Sequence, residues 1–165
     1  MTGDPGELER RLRANRGKVH RPAFMASVER TVGLRVADGH FLDLEATDRL
    51  AAEISAALQA TEPIRRWPAT ERSAVFGYVQ RLSRQLDRNH SSCLAFFDHW
   101  LELGALRVPS SAVLAASEEL WSEGSEPFCL ATMDLLDVVY LDYTEPEQAP
   151  GEEYELFAWG AFAST

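Results

Sequence analysis

Two stretches near the C-terminal end of this sequence alternate with the period of a β-strand. Val138-Val139-Tyr140-Leu141-Asp142-Tyr143 is rich in β-branched and aromatic residues, and Tyr154-Glu155-Leu156-Phe157-Ala158-Trp159 in aromatic ones. Successive strand side chains point to opposite faces, so Val139, Leu141 and Tyr143 oppose Val138, Tyr140 and Asp142. In the second run Tyr154, Leu156 and Ala158 oppose Glu155, Phe157 and Trp159. Between the runs lie Pro146, Pro150 and Gly151, a loop composition. The pattern predicts two antiparallel strands with Leu141 and Leu156 in a core. Both faces of each strand carry large apolar groups, so one face is covered and the other is partly open to solvent.

The same segment holds an extreme of charge. Residues 109–165 contain 12 of the chain's 26 carboxylates and no Lys, Arg or His. Residues 1–108 contain all 16 Lys and Arg against 14 carboxylates. The two parts carry +2 and −12, giving the net charge of −10. An acidic tail without structure lacks β-branched and aromatic runs, so this segment reads as folded. A net negative surface disfavours direct binding to nucleic acid, whose phosphates require a basic face, and suits attraction to a basic partner.

The rest of the chain reads as helices and one early hairpin. Asp4-Pro5-Gly6-Glu7 has the spacing of a helix start, and Leu8 and Leu12 give it a thin apolar face. Arg10, Arg11, Arg13, Arg16, Lys18 and Arg21 follow. This basic N-terminal helix or arm, residues 1–21, reads as a solvated face or a strap on the chain's own acidic part rather than a nucleic-acid arm. Val32–Val36 and Phe41–Leu44 flank Ala37-Asp38-Gly39-His40, and Asp-Gly predicts a tight hairpin. Leu50, Ile54 and Leu58 predict a helix over 47–60, ended before Pro63. Val75, Val79, Leu82 and Leu86 predict a second, capped by Thr70 and reaching Arg88. Ser91 or Ser92 is expected to cap a third, to Leu103, with Leu94, Phe97 and Leu101 in one stripe. A fourth is expected from Pro109 or Ser110 to Glu123, stopped by Gly124, with one further strand over Phe128–Thr132.

Chemical motifs are sparse. Cys93 and His99 suggest a Cys–His nucleophile, but a six-residue separation puts them on different sides of a helix, and no third group orients the pair. Asp134, Asp137 and Asp142 suggest a divalent-cation cluster, yet the spacing and glycine of a calcium loop are missing. The four histidines and two cysteines show no zinc spacing. Neither glycine-rich phosphate motif occurs, so no cofactor is expected. No apolar run reaches the roughly 18 residues of a membrane span, and residues 1–21 lack a secretory apolar core. Two cysteines suit buried thiols in a reducing cytoplasm. Lys18 is the single Lys among the 16 bases, a composition associated with GC-rich bacterial genes.

These readings converge on one α+β domain over residues 1–165. Four to five helices pack with a small, mainly antiparallel sheet formed by the early hairpin and the C-terminal strands. Its sections are the basic start (1–21), a mixed middle (22–108) and an acidic helix plus hairpin (109–165). A small acidic domain without catalytic motifs is similar to the immunity proteins of bacterial toxin systems, a likeness of class that assigns no residue. The expectation is a cytoplasmic, non-enzymatic protein that neutralises a basic protein partner. Its face would consist of Asp134, Asp137, Tyr140, Asp142, Glu152, Glu153, Glu155, Phe157 and Trp159, with charge for encounter and rings for residence. The rival readings are a DNA-mimic inhibitor of a nuclease or host defence protein, an enzyme using Asp134 and Asp137 or Cys93 and His99, and a structural or scaffold subunit whose acids serve solubility alone.

Overall fold

In the computed structural model, which describes residues 5–85, 92–121, 127–144 and 153–163, the chain opens on one long helix, α1 (Pro5–Val32). The basic run lies within it. Arg13 holds Asp48 with its two terminal guanidinium nitrogens, Nη1 to Oδ1 at 3.0 Å, and Arg21 holds Asp38 at 3.0 Å. Phe24, Val28 and Val32 stand four apart and turn onto the core. This stripe carries the helix into a segment whose β-branched residues suggest a strand, and Gly33 ends it in the left-handed region at φ 73°.

The early hairpin is therefore not formed. The Val36 N–H donates to Glu29 Oε1 at 2.8 Å rather than across a ladder. Asp38–His40 makes a 3-10 turn, with the Ala37 N–H donating to His40 Nδ1 at 3.1 Å. Phe41 contributes only an isolated bridge to Leu106. Asp43 then caps helix α2 (Leu44–Gln59), accepting the Ala46 N–H at 2.8 Å. The helix starts ahead of the expected Thr47. That residue is buried, its hydroxyl donating to Asp43 O at 2.8 Å and accepting the Ala105 N–H at 3.1 Å.

Strand β1 (Arg65–Pro68) comes next, and a 3-10 turn over Ala69–Glu71 leads into α3 (Arg72–Gln85), so Thr70 lies in that turn rather than at a cap. The expected helix end at Arg88 lies outside the described residues. The predicted third helix is replaced by β2 (Cys93–Phe96), a turn, and one helical turn, α4 (Trp100–Leu103). All four residues of β2 are buried, because both of its faces are covered. A strand buried on both faces is a continuous apolar run without alternation, which periodicity alone cannot separate from a helix. Strand β3 (Leu106–Val108) follows. The fourth predicted helix is broken at Ala116 into α5 (Ser110–Ala115) and α6 (Ser117–Leu120), and its expected stop at Gly124 lies outside the described residues. The C-terminal strands form as expected: β4 (Phe128–Ala131), buried throughout, then β5 (Val138–Thr144) and β6 (Glu153–Trp159) along the two alternating runs.

The six strands make one antiparallel sheet in the order β1-β6-β5-β4-β2-β3, and the protein is α+β with helices on both faces. On the first face Phe128, Leu130, Val139, Leu141, Tyr154 and Leu156 pack against Val75, Phe76 and Val79 of α3, Val113 and Leu114 of α5, and Val28 of α1. On the second face Leu94, Phe96, Cys129 and Val138 are covered by Leu50 and Ile54 of α2, with Trp100 beside them. Leu141 and Leu156 are buried, as the alternation predicts.

The close approach of α1 to α4 depends on Gly17. A Cβ at this position would stand 2.3 Å from the carbonyl oxygen of Glu102. In a free helix Gly→Ala stabilises by about 1 kcal/mol. Here the clash is with backbone, and moving two packed helices apart outweighs that gain. We expect Gly17→Ala to destabilise the fold by about 1–3 kcal/mol, read from denaturant unfolding, against the direction of helix propensity.

Candidate interaction face

The second face of the sheet is covered at one end only. Beyond α2, the outward positions of β5 and β6 are half-buried: Tyr140 and Asp142 on one strand, Glu153, Glu155, Phe157 and Trp159 on the other. The register stacks them in rows across the sheet. Tyr140 stands opposite Phe157, their rings edge to face at 6.1 Å. Asp142 stands opposite Glu155, which faces Arg66 on β1. Glu153 stands opposite Pro68.

Asp142 is the unusual member of this group. Burial holds its carboxyl above the usual carboxylate range; the Tyr143 N–H, donating at 2.9 Å, opposes the shift, and the like charge of Glu155 adds to it. No described cation pairs with it. Glu155 is differently served: Arg66 Nε reaches its Oε1 at 2.8 Å and lies 3.8 Å from Glu153. One guanidinium is thus shared by two carboxylates, and the third has no counter-charge among the described residues.

An apolar cleft of about 310 Å³ adjoins this row between α2 and the sheet. Ile54, Leu58, Phe96, Trp100, Cys129 and Tyr140 line it. Burial raises the Cys129 thiol, so the sulfur stays neutral and serves as apolar lining. Tyr140 belongs both to this cleft and to the aromatic row. The surface therefore passes from an apolar hollow, over two rings, to a group of carboxylates.

Six of the nine residues singled out in the sequence share this face: Tyr140, Asp142, Glu153, Glu155, Phe157 and Trp159. Glu152 lies outside the described residues. Asp134 and Asp137 lie in the turn between β4 and β5, where they organise backbone. Asp134 Oδ1 accepts from the Thr132 hydroxyl at 2.7 Å and the Leu136 N–H at 3.2 Å. Asp137 Oδ1 accepts the Ala161 N–H at 2.6 Å, tying the turn to the 3-10 turn after β6. Trp159 belongs to the same fastening, since its indole N–H donates to Leu135 O at 2.9 Å.

Cys93 and His99 belong to different surroundings. Cys93 is buried in the first-face core, where burial raises its thiol despite a hydrogen bond with Ser110. His99 is exposed in the turn before α4, in the left-handed region at φ 65°, and stacks on His20 of α1 at 5.0 Å. Among the described residues no group of three or more His, Cys, Asp or Glu side chains could hold a metal ion.

Sequence reasoning missed Arg66 and the cleft wall. Arg65-Arg66-Trp67-Pro68 is short, charged and ends in Pro, the character of an edge strand protected from further pairing. Only pairing with β6 places Arg66 between the two glutamates. Compared with known proteins, the chain matches no family model, no curated protein and no solved structure.

Two outcomes follow from this geometry. The folded-state pKa of Asp142 lies above its unfolded value, so its contribution to stability is present at low pH and lost as pH rises through the folded value. Asp142→Asn is expected to raise the melting temperature at pH 7, with the gain shrinking as pH falls toward about 3, where both side chains are neutral. Melting curves from pH 3 to 7 decide this, and a variant less stable than the parent at pH 7 contradicts it. Trp159→Phe keeps a ring but leaves Leu135 O without its donor, and should lower stability by about 1 kcal/mol in chemical denaturation.

Proposed function

We propose that this protein is a binding module that neutralises a basic protein partner through the open end of its second sheet face. Within that class, immunity-type inhibition of a bacterial toxin in the cytoplasm is the reading we favour. The observation that carries it is Asp142, a half-buried carboxylate without a described counter-cation, next to two rings and an apolar cleft. A fold that keeps an unfavourable charge at an open aromatic surface has a use for a cation supplied from outside. The carboxylates speed encounter with a basic surface, while Tyr140 and Phe157 supply area for residence. A DNA mimic calls for an unbroken row of negative charge, and Arg66 interrupts this one. The groups named for an enzyme are engaged elsewhere: Asp134 and Asp137 with backbone, Cys93 in the core.

The test uses the whole chain as bait in extracts of its native host, at low and high salt, with Asp142→Asn as the paired bait. A basic protein should be retained at low salt, released at high salt, and held at least about tenfold more weakly by the variant. With the purified partner, the variant should associate more slowly while keeping or gaining thermal stability. A partner held equally by both baits, or indifferent to salt, removes Asp142 from the interface and the proposal with it.

A further inference from the structure

A second surface, independent of the acidic face, lies on α1. Leu8, Leu12 and Val19 are among the most exposed large apolar residues described, at 62%, 51% and 75%. With Asn15, Pro22 and Ala26, also exposed, they follow one another at intervals of four and three residues. That is the 3.5-residue repeat of a coiled-coil seam, a narrow stripe on one side of the helix. The opposite side is fastened to the body, through Gly17 against α4 and Arg13 on Asp48 of α2. The stripe therefore faces outward as a consequence of how α1 packs.

The flanks of the stripe select its occupant. Arg16 and Lys18 stand on either side of the stretch from Asn15 to Val19, and neither has a described carboxylate partner. Lys18 donates only to Asn15 Oδ1, at 3.3 Å. A second copy of α1 would bring these cations against their own copies, so self-pairing is repelled. Further along, the cleft of about 840 Å³ beside Pro22 and Ala26 holds Lys18 and Arg21 against Glu29, Asp38, Asp43 and Glu102, so acidic flanks are selected at the stretch from Asn15 to Val19 and not beyond it. The acidic sheet face does not interfere. α1 sits beside the β2–β3 end of the sheet, with Phe24 on Phe97 at 5.6 Å. The carboxylate row is three to four strands away, roughly 15–20 Å, beyond the Debye length of about 8 Å at physiological salt.

The geometry points to a docking seam on α1 for an amphipathic helix of another protein, with apolar residues at heptad spacing and acidic flanks. A narrow heptad stripe suits one helix, whereas a membrane-surface helix presents a broad apolar face and would bring the whole acidic molecule to an anionic sheet.

The test uses the intact protein and two synthetic peptides of about four heptads, both with Leu along the seam, one with Glu flanks and one with Lys flanks. The Glu peptide should bind at least about tenfold more tightly by titration calorimetry, and more weakly as salt rises. Leu12→Ser with Val19→Ser should weaken it at least about tenfold without moving the melting temperature, because both residues are exposed. Arg16→Glu with Lys18→Glu should transfer the preference to the Lys peptide. Equal affinity for both peptides, or none, overturns the proposal. So does dimerisation of the chain, or cosedimentation with phosphatidylserine vesicles, that the Leu12 and Val19 variant abolishes; these would assign the seam to a second copy or to a membrane.

Discussion

The pairing of β5 with β6 is the constraint on which the rest of the molecule depends. It runs from Val138 opposite Trp159 to Thr144 opposite Glu153 without interruption. Side chains alternate along both strands, so a slip of one residue would exchange Tyr154, Leu156 and Ala158 for Glu155, Phe157 and Trp159. The first set is buried against α3 and α5, and the second is half open. The register therefore decides core and surface together. It also fixes the neighbours: β1 pairs with β6 so that Trp67 lies opposite Tyr154 in the core and Arg66 opposite Glu155 outside.

From this follows an uneven use of charge. Two of the three carboxylates on the open end share Arg66, a partner drawn from a strand remote in sequence. Asp142 keeps a backbone donor and a like-charged neighbour. Replacing this half-buried carboxylate with a neutral amide is expected to relieve the chain. On the proposed reading, this unfavourable local arrangement is relieved when a cation from another molecule meets Asp142. By contrast, Asp134, Asp137 and Trp159 are satisfied within the turn they hold. Acidic composition alone does not distinguish these two kinds of carboxylate; their hydrogen-bond partners do.

The legibility of the sequence followed the same physics. Strands β5 and β6 and helices α2 and α3 were readable because each buries one side and shows the other, so periodicity reports on them directly, whereas β4, buried on both faces, reads only as a short apolar run. The alternation also sorted Tyr140, Asp142, Glu155, Phe157 and Trp159 onto the outward positions. What misled was local chemistry overruled by packing. Asp38-Gly39 favours a hairpin, but Phe24, Val28 and Val32 extend α1 over the core and leave no strand to pair. Cys93–Phe96 carries no alternation because both faces are covered. Arg65–Pro68 is too short and too charged to read as a strand until β6 provides its partner. Arg66 and the cleft walls come from segments distant in sequence, and no local pattern reports on such a meeting.

The charge division seen in the sequence takes a different form in space. A basic first helix and an acidic last third suggest an internal pairing of the two. Instead Arg13 and Arg21 are held by Asp48 and Asp38, carboxylates from the middle of the chain. Of the hairpin's described carboxylates, Glu153 and Glu155 meet Arg66 and Asp142 accepts a backbone N–H. Each end of the sheet thus compensates part of its own charge and leaves a remainder, positive around Arg16 and Lys18 and negative around Asp142. Internal pairing would have cancelled both remainders and fixed α1 across the open face. Keeping them several strands apart leaves the Tyr140–Phe157 row uncovered and the α1 stripe outward. Two oppositely charged surfaces are then exposed at once, each beyond screened reach of the other.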